Sequence, residues 1–205
     1  MEPSKVSKIL IGTTNQGKIC ELRELLASLP VELIGLNDID VNVEVKETGM
    51  TFAENAALKA REYARMSMLC ALADDSGLEV RALDNRPGVM SARYGGEGTS
   101  FAGKIRMLLE ELAVCSDTDR SAQFVCVMSL AASSGDILFE AEGICKGTLA
   151  KEPRGTGGFG YDPIFIPDGY RLTFGELASD IKQQISHRAR AAQKIIRYLQ
   201  GFFAV

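Results

Sequence analysis

The sequence predicts an α/β fold, a mixed twisted sheet with flanking helices, on three observations. The first third alternates short branched apolar runs with amphipathic stretches, the pattern of strand followed by helix. The second half holds two long strand-like runs separated by a Gly-containing turn. No repeat or low-complexity linker interrupts the chain, so its 205 residues read as one domain, 1–205, with room for two lobes.

Each element has a local reason. "KILIGTT" is a short buried strand, and "KICELRELLASL" places Ile19, Leu22, Leu25, Leu26 and Leu29 at helical spacing. "VELIGL" reads as a second strand. "TFAENAALKAREYARM" is a long helix opened by a capping box, with Thr51 as N-cap and Glu54 three residues later. The run "LCALA" leads to Asp74 and Asp75, "LEVRAL" returns as a strand, and "FAGKIRMLLEEL" is a third helix. "AQFVCVMSLAA" and "ILFEAEGICKGTL" flank "SSGD" as a hairpin, and "SHRARAAQKIIRYLQGFF" closes the chain as an amphipathic helix.

Composition narrows the function. A chain 46% hydrophobic and 24% charged is an ordinary ordered protein. A net charge of −4 without a basic block disfavours a nucleic acid polymer as partner, while a small anion held by local Lys and Arg stays open. Five cysteines without a C-x-x-C pair read as reduced core thiols, which points to a cytoplasmic location. The segment "MEPSKVSKILIGTTN" has too few apolar residues for a signal or a membrane span.

Five stretches carry candidate chemistry. "TTNQGK", Thr13 to Lys18, sits at a strand-to-helix junction, where free backbone N–H groups and a lysine make either a phosphate cradle or a simple capped helix start. Asn55 and Lys59 lie four apart on one helix face, which is either a site or a solvated stripe. Asp74 and Asp75 precede Ser76 and Gly77. A buried carboxylate is costly unless a cation or donors compensate it, and Glu47 with one aspartate would suit Mg²⁺, whose ligands are oxygens. The alternative is a D-S-G turn. In an extended segment the two aspartates point to opposite faces, so one can meet a ligand while its neighbour serves the turn. "PRGTGGFGYDPIFIP" has four glycines in the six positions from Gly155 to Gly160, beside aromatics on which a base could stack; a flexible loop is the alternative. "DIKQQISHRAR" contains the single histidine, His187, with Arg188 and, upstream, Lys182.

"TTNQGK", "ETGMTFAENAALKA", "LADDSGLEVRAL", "PGVMSARYGG", "GTGGFGYDPIF" and "ISHRARA" occur in the order and at the spacing of the non-canonical purine nucleoside triphosphate pyrophosphatases, also called inosine triphosphate pyrophosphatases. The chain resembles that family over nearly its whole length. The resemblance implies two lobes around a central substrate cleft, a homodimer and a Mg²⁺ requirement that Mn²⁺ can meet. It also implies hydrolysis of ITP, dITP and XTP to monophosphate and pyrophosphate, a cleansing of the nucleotide pool.

By motif, the phosphate loop falls on Thr13, Thr14, Asn15, Gln16, Gly17 and Lys18. The metal ligands fall on Glu47 and Asp75, and the general base on Asp75. Substrate contacts fall on Asn55, Lys59, Ser76 and Lys182, and base recognition on Phe159, Gly160, Tyr161, Asp162, His187 and Arg188. Lys46 stands where many relatives have a second acid, and Gly98 and Lys104 also depart from the pattern. No covalent nucleophile is required: Asp75 would deprotonate a water aimed at the α-phosphorus, and Lys18, Lys59 and Lys182 would stabilise the developing charge. A nucleotide sensor would have no use for such a carboxylate, and a transferase would need an acceptor pocket that no segment suggests.

Overall fold

The computed structural model describes residues 8–39, 41, 43–96, 98–115 and 118–203; residues 1–7, part of the segment read for a leader, lie outside them. The fold is mixed α/β. Among the described residues seven strands, β1 (Lys8–Ile11), β2 (Glu32–Gly35), β3 (Cys70–Val80), β4 (Arg86–Pro87), β5 (Ser121–Ala131), β6 (Ile137–Leu149) and β7 (Phe165–Pro167), follow the order β2-β1-β3-β5-β6-β7, with β4 on β3, and five α-helices accompany them. The chain divides into two compact units, one of residues 8–75, 126–143 and 188–203, the other of 76–125 and 144–187.

In the first unit, β1 (Lys8–Ile11) pairs in parallel with both β2 (Glu32–Gly35) and the start of β3 (Cys70–Val80). The crossovers are α1 (Gln16–Leu25) and α2 (Phe52–Ser67). Ile9 and Ile11 of β1 pack with Leu22 and Leu26 and with Ile195 and Leu199 of the closing helix α5 (His187–Phe203). The opposite-facing Leu10 joins Ala60, Tyr63 and Ala64 of α2, as strand alternation requires. α2 begins where expected: Thr51 Oγ1 accepts from Glu54 N and Glu54 Oε2 from Thr51 N, both at 3.1 Å. It ends at Met68, whose left-handed backbone (φ 58°) stops the helix. The hairpin of β5 (Ser121–Ala131) and β6 (Ile137–Leu149) closes through Gly135 (φ 89°), with Ala132 N donating to Asp136 O at 2.9 Å.

In the second unit, the two-residue β4 (Arg86–Pro87) lies antiparallel to the end of β3, and β7 (Phe165–Pro167) antiparallel to the end of β6. Helix α3 (Phe101–Val114), capped by Ser100, packs Ile105, Leu108 and Leu112 against Leu78, Val80, Phe124, Phe165 and Phe174. The short α4 (Ser179–Ile185) precedes α5.

The structure differs from the sequence reading at the aspartates. β3 runs unbroken through Asp74-Asp75-Ser76-Gly77, so these residues form no turn. The D-S-G preference is local, and ladder pairing on β3 overrides it. Cys20 is another difference: Cys126 and Cys145 are buried, but Cys20 is exposed, and none of the five forms a disulfide. No helix among the described residues is long and apolar enough to cross a membrane.

Candidate active site

In the first unit the site begins at the end of β1. Gly12 permits a close approach here, because a Cβ would stand 2.9 Å from the Tyr63 ring and 3.2 Å from Ala73 Cβ and force a neighbour to shift. The chain then turns into α1. Asn15 Oδ1 accepts from Lys18 N at 3.1 Å, and Thr13 Oγ1 accepts from Asn15 N at 3.2 Å. These are capping bonds, so the capped helix start is realised. Thr14, Asn15 and Gln16 remain exposed beside it. Lys18 reaches back to Asp74, its Nζ 3.0 Å from Oδ2.

Strand alternation gives the two aspartates different surroundings. Asp74 is fully buried, and Oδ2 also receives Arg188 Nη2 at 3.1 Å. Burial alone would raise the Asp74 pKa, but Lys18, Arg188 and Lys59 hold it well below the ordinary carboxylate range. Arg188 gives its Nη1 to Glu21 Oε2 at 2.6 Å. The resemblance assigns it to base recognition; in the structure its guanidinium is 1% exposed and shared between Asp74 and Glu21. Burial would lower the Arg188 pKa, but the two carboxylates raise it.

Asp75 belongs to another constellation. Its Oδ2 accepts from Asn55 Nδ2 at 3.0 Å, and Asn55 Oδ1 in turn accepts from Gly49 N at 2.7 Å. Lys59 Nζ stands 2.5 Å from Glu47 Oε1 and 3.7 Å from Asp75 Oδ1. The predicted pair of acids is therefore gathered around one ammonium. Asn55 and Lys59 are buried, so the solvated-stripe alternative fails. Burial raises the Asp75 pKa and the neighbouring Glu47 charge adds to this, against the pull of Lys59, Lys18 and Asn55. Burial works against the Lys59 ammonium, yet Asp75, Asp74 and Glu47 together raise its pKa. Lys46 is exposed.

The second unit gathers the remaining predicted residues. Asp162 Oδ2 accepts from Phe159 N at 2.8 Å and forms a short ion pair with Lys182 Nζ. That ammonium lies 4.8 Å from the Phe159 ring centroid and 5.7 Å from that of Phe174. Gly158 has φ +67°, and a Cβ there would fall 2.0 Å from Asp162 Oδ2. Part of the glycine density thus serves this close packing. Tyr161 is buried with its hydroxyl donated to Ser91 O at 3.1 Å. His187 is buried against Phe124. Ser76, in β3, is partly exposed, and Gly160 adopts φ 66°. Of the departures, Gly98 lies in open space with φ +79°, while Lys104 is buried, donating to Ala92 O at 2.5 Å above the Phe101 ring.

A sequence model of the Ham1 family matches residues 9–198. The chain belongs to the Ham1 family. It is 43% identical over 195 residues to a dITP/XTP pyrophosphatase of Oceanobacillus iheyensis, covering 95% of this chain and 98% of that protein. It is 48% identical over 187 residues to a dITP/XTP pyrophosphatase of a Nostoc species, covering 91% of each. The structure of a HAM1 protein from Coxiella burnetii superposes with a TM-score of 0.87 at 40% identity, over 95% of this chain and 98% of that one.

Within this Ham1 chain, no group of three or more His, Cys, Asp or Glu is arranged around a metal position among the described residues. Glu47 and Asp75 nevertheless fit a hard divalent ion, which commonly takes one or two carboxylates and completes its shell with phosphate oxygens and water. Their like charges are drawn to one ammonium, and a second cation would relieve the Asp75 carboxylate further. Glu21 and Phe124 were not anticipated. For Glu21 a signal existed, since it lies three residues after Lys18 on the same face of α1.

Proposed function

We propose that this protein hydrolyses dITP, XTP and ITP to the monophosphate and pyrophosphate, as a nucleoside-triphosphate pyrophosphatase that removes aberrant purines from the nucleotide pool. The observation that carries the mechanism is the Glu47–Lys59–Asp75–Asn55 cluster. A buried carboxylate with a raised pKa, oriented by a buried amide, is suited to take a proton from water. The water oxygen bonds to the α-phosphorus, its proton passes to Asp75, and the bond from the α-phosphorus to the bridging oxygen breaks to release pyrophosphate. Lys18 and Lys59 stabilise negative charge on phosphate oxygens. Asn55 keeps Asp75 in place, and the turn of Thr13, Thr14, Asn15, Gln16 and Gly17 at the start of α1 meets the phosphates.

Glu47 and Asp75 would hold Mg²⁺, or Mn²⁺ in its place, which when bound neutralises phosphate charge and polarises the α-phosphorus. Phe159 offers a stacking face, and Gly160 lets the backbone approach the base. Lys182 with Asp162 and Ser76 contacts substrate, and Tyr161 supports that loop from behind through Ser91. Hypoxanthine and xanthine carry a 6-keto acceptor where adenine carries an amino donor, and His187 donates to it. Arg188 can join only if Asp74 or Glu21 releases it. The family match spans both units, which supports treating 1–205 as one catalytic domain. The protein works as a homodimer in the cytoplasm, without nucleic acid polymer or membrane.

The test is pyrophosphate release from dITP, XTP, ITP and the four ordinary deoxynucleotides in Mg²⁺. Preference for the first three with stoichiometric pyrophosphate is expected. Release of orthophosphate, or equal rates on all seven, would overturn the reading. Sedimentation velocity tests the dimer.

A further inference from the structure

His187 is the single histidine of the chain, and its ring lies flat on Phe124. The centroids are 4.7 Å apart and the planes 11° from parallel, with His187 4% and Phe124 7% exposed. Phe124 is the middle of an aromatic slab: Phe165 meets it at 4.6 Å, tilted by 58°, and Phe174 at 6.3 Å. Lys182 Nζ stands over Phe174, another ring of the same slab.

This contact settles something the backbone cannot. The torsion that turns an imidazole about its Cβ–Cγ bond is broad, with no sharp staggered wells. His187 opens α5, and helix geometry there leaves the ring plane undetermined. A face-on phenyl ring permits only the parallel orientation and its 180° flip. Both ring nitrogens then lie in a plane parallel to Phe124, and an N–H bond points along the slab surface instead of into it.

We infer that Phe124 is a positioning residue for purine selection: by stacking it fixes the His187 plane, and so the direction in which the ring N–H meets the purine 6-keto oxygen. This role rests on the reading of His187 as a base contact. A donor held in that plane makes adenine's amino group face a donor in a desolvated site, whereas a ring free to tilt out of the plane could turn its N–H aside and accommodate adenine. Phe124 touches neither base nor phosphate in this scheme and acts only through His187.

With one histidine, the imidazole NMR signals need no assignment. In the wild type the His187 ring protons are expected upfield of their positions in urea-unfolded protein, from the Phe124 ring current, and inosine monophosphate is expected to shift the imidazole nitrogens. Phe124→Leu should move the ring protons downfield and lower the dITP-to-dATP ratio in kcat/KM about tenfold. Phe124→Tyr should keep both properties. Phe165→Leu, which deletes a neighbouring buried ring of the slab, should lose stability but keep the ratio. Wild-type ring protons at unfolded positions would overturn the role, and that measurement stands even if Phe124→Leu does not fold. An active wild type with an unchanged ratio in Phe124→Leu refutes the role alone; a wild type inactive on every purine nucleotide refutes the proposed reaction with it.

Discussion

Arg188 Nη2 lies 3.1 Å from Asp74 Oδ2, with side chains 1% and 0% exposed. Glu21 takes the other terminal nitrogen and Lys18 shares the aspartate, so two cations and two anions balance in one buried group. Breaking a buried pair from one side strands the remaining charge. Arg188→Ala is therefore expected to lose about 3–5 kcal/mol of unfolding free energy, with Arg188→Lys intermediate. Urea unfolding measures this, and a loss below about 1 kcal/mol would mean that Lys18 alone neutralises Asp74.

Asp75 and Asp74 are chain neighbours with separate duties, and substitution should separate them. Asp75→Asn keeps the shape and the place beside Asn55 but cannot take a proton from water. It should bind ITP and hydrolyse it at least ~10²-fold more slowly. Single-turnover rates with equilibrium binding on the same variant decide the point; near-normal turnover would exclude Asp75 as the base.

Metal removal gives a further outcome. Two carboxylates and a triphosphate form a hard oxygen site. Activity should disappear in excess chelator and return with Mg²⁺ or Mn²⁺. Glu47→Gln should need at least about tenfold more Mg²⁺ for half-maximal rate. Full activity in chelator would remove the metal from the scheme.

What the sequence disclosed follows the range of each interaction. The start of α2 was legible because Thr51 and Glu54 settle it within four residues, and the opposite facing of Asp74 and Asp75 follows from strand geometry alone. The unbroken β3 was not legible, because the local turn preference of Asp-Ser-Gly gives way to a strand flanked by both β1 and β5, which come from elsewhere in the chain. Burial of Lys59 could not be read from periodicity, since it depends on Glu47 reaching the ammonium from the preceding loop. Arg188 and Glu21 are 167 positions apart, and Phe124 and His187 lie on different elements. Residue spacing carries no information about such pairs.

The last prediction concerns pH. The Tyr94 hydroxyl donates to Glu111 Oε2 in a short bond, and Arg86 Nη2 lies 2.6 Å from Glu111 Oε1. Burial, then the bond to Glu111 and its charge, pushes the Tyr94 pKa from its ordinary 10.0 up to about 12, against Arg86. The Glu111 carboxyl moves the other way: the bond from Tyr94 lowers it first, then Arg86, with burial opposing. For Tyr94 the folded pKa exceeds the unfolded one, so its contribution is full below pH 10 and is lost between 10 and about 12. There the unfolded chain has released a proton that the folded one retains. For Glu111 the folded pKa is depressed, so its contribution is present above the ordinary value of 4.5 and is lost as pH falls through the lower folded value. Tyr94→Phe removes the bond and should cost roughly 1 kcal/mol near neutrality. That cost should shrink both in the alkaline window and in acid. Urea unfolding of wild type and variant across pH measures the difference directly, and a gap that stays constant from pH 10 to about 12 would show that the Tyr94–Glu111 bond does not hold the phenolic proton.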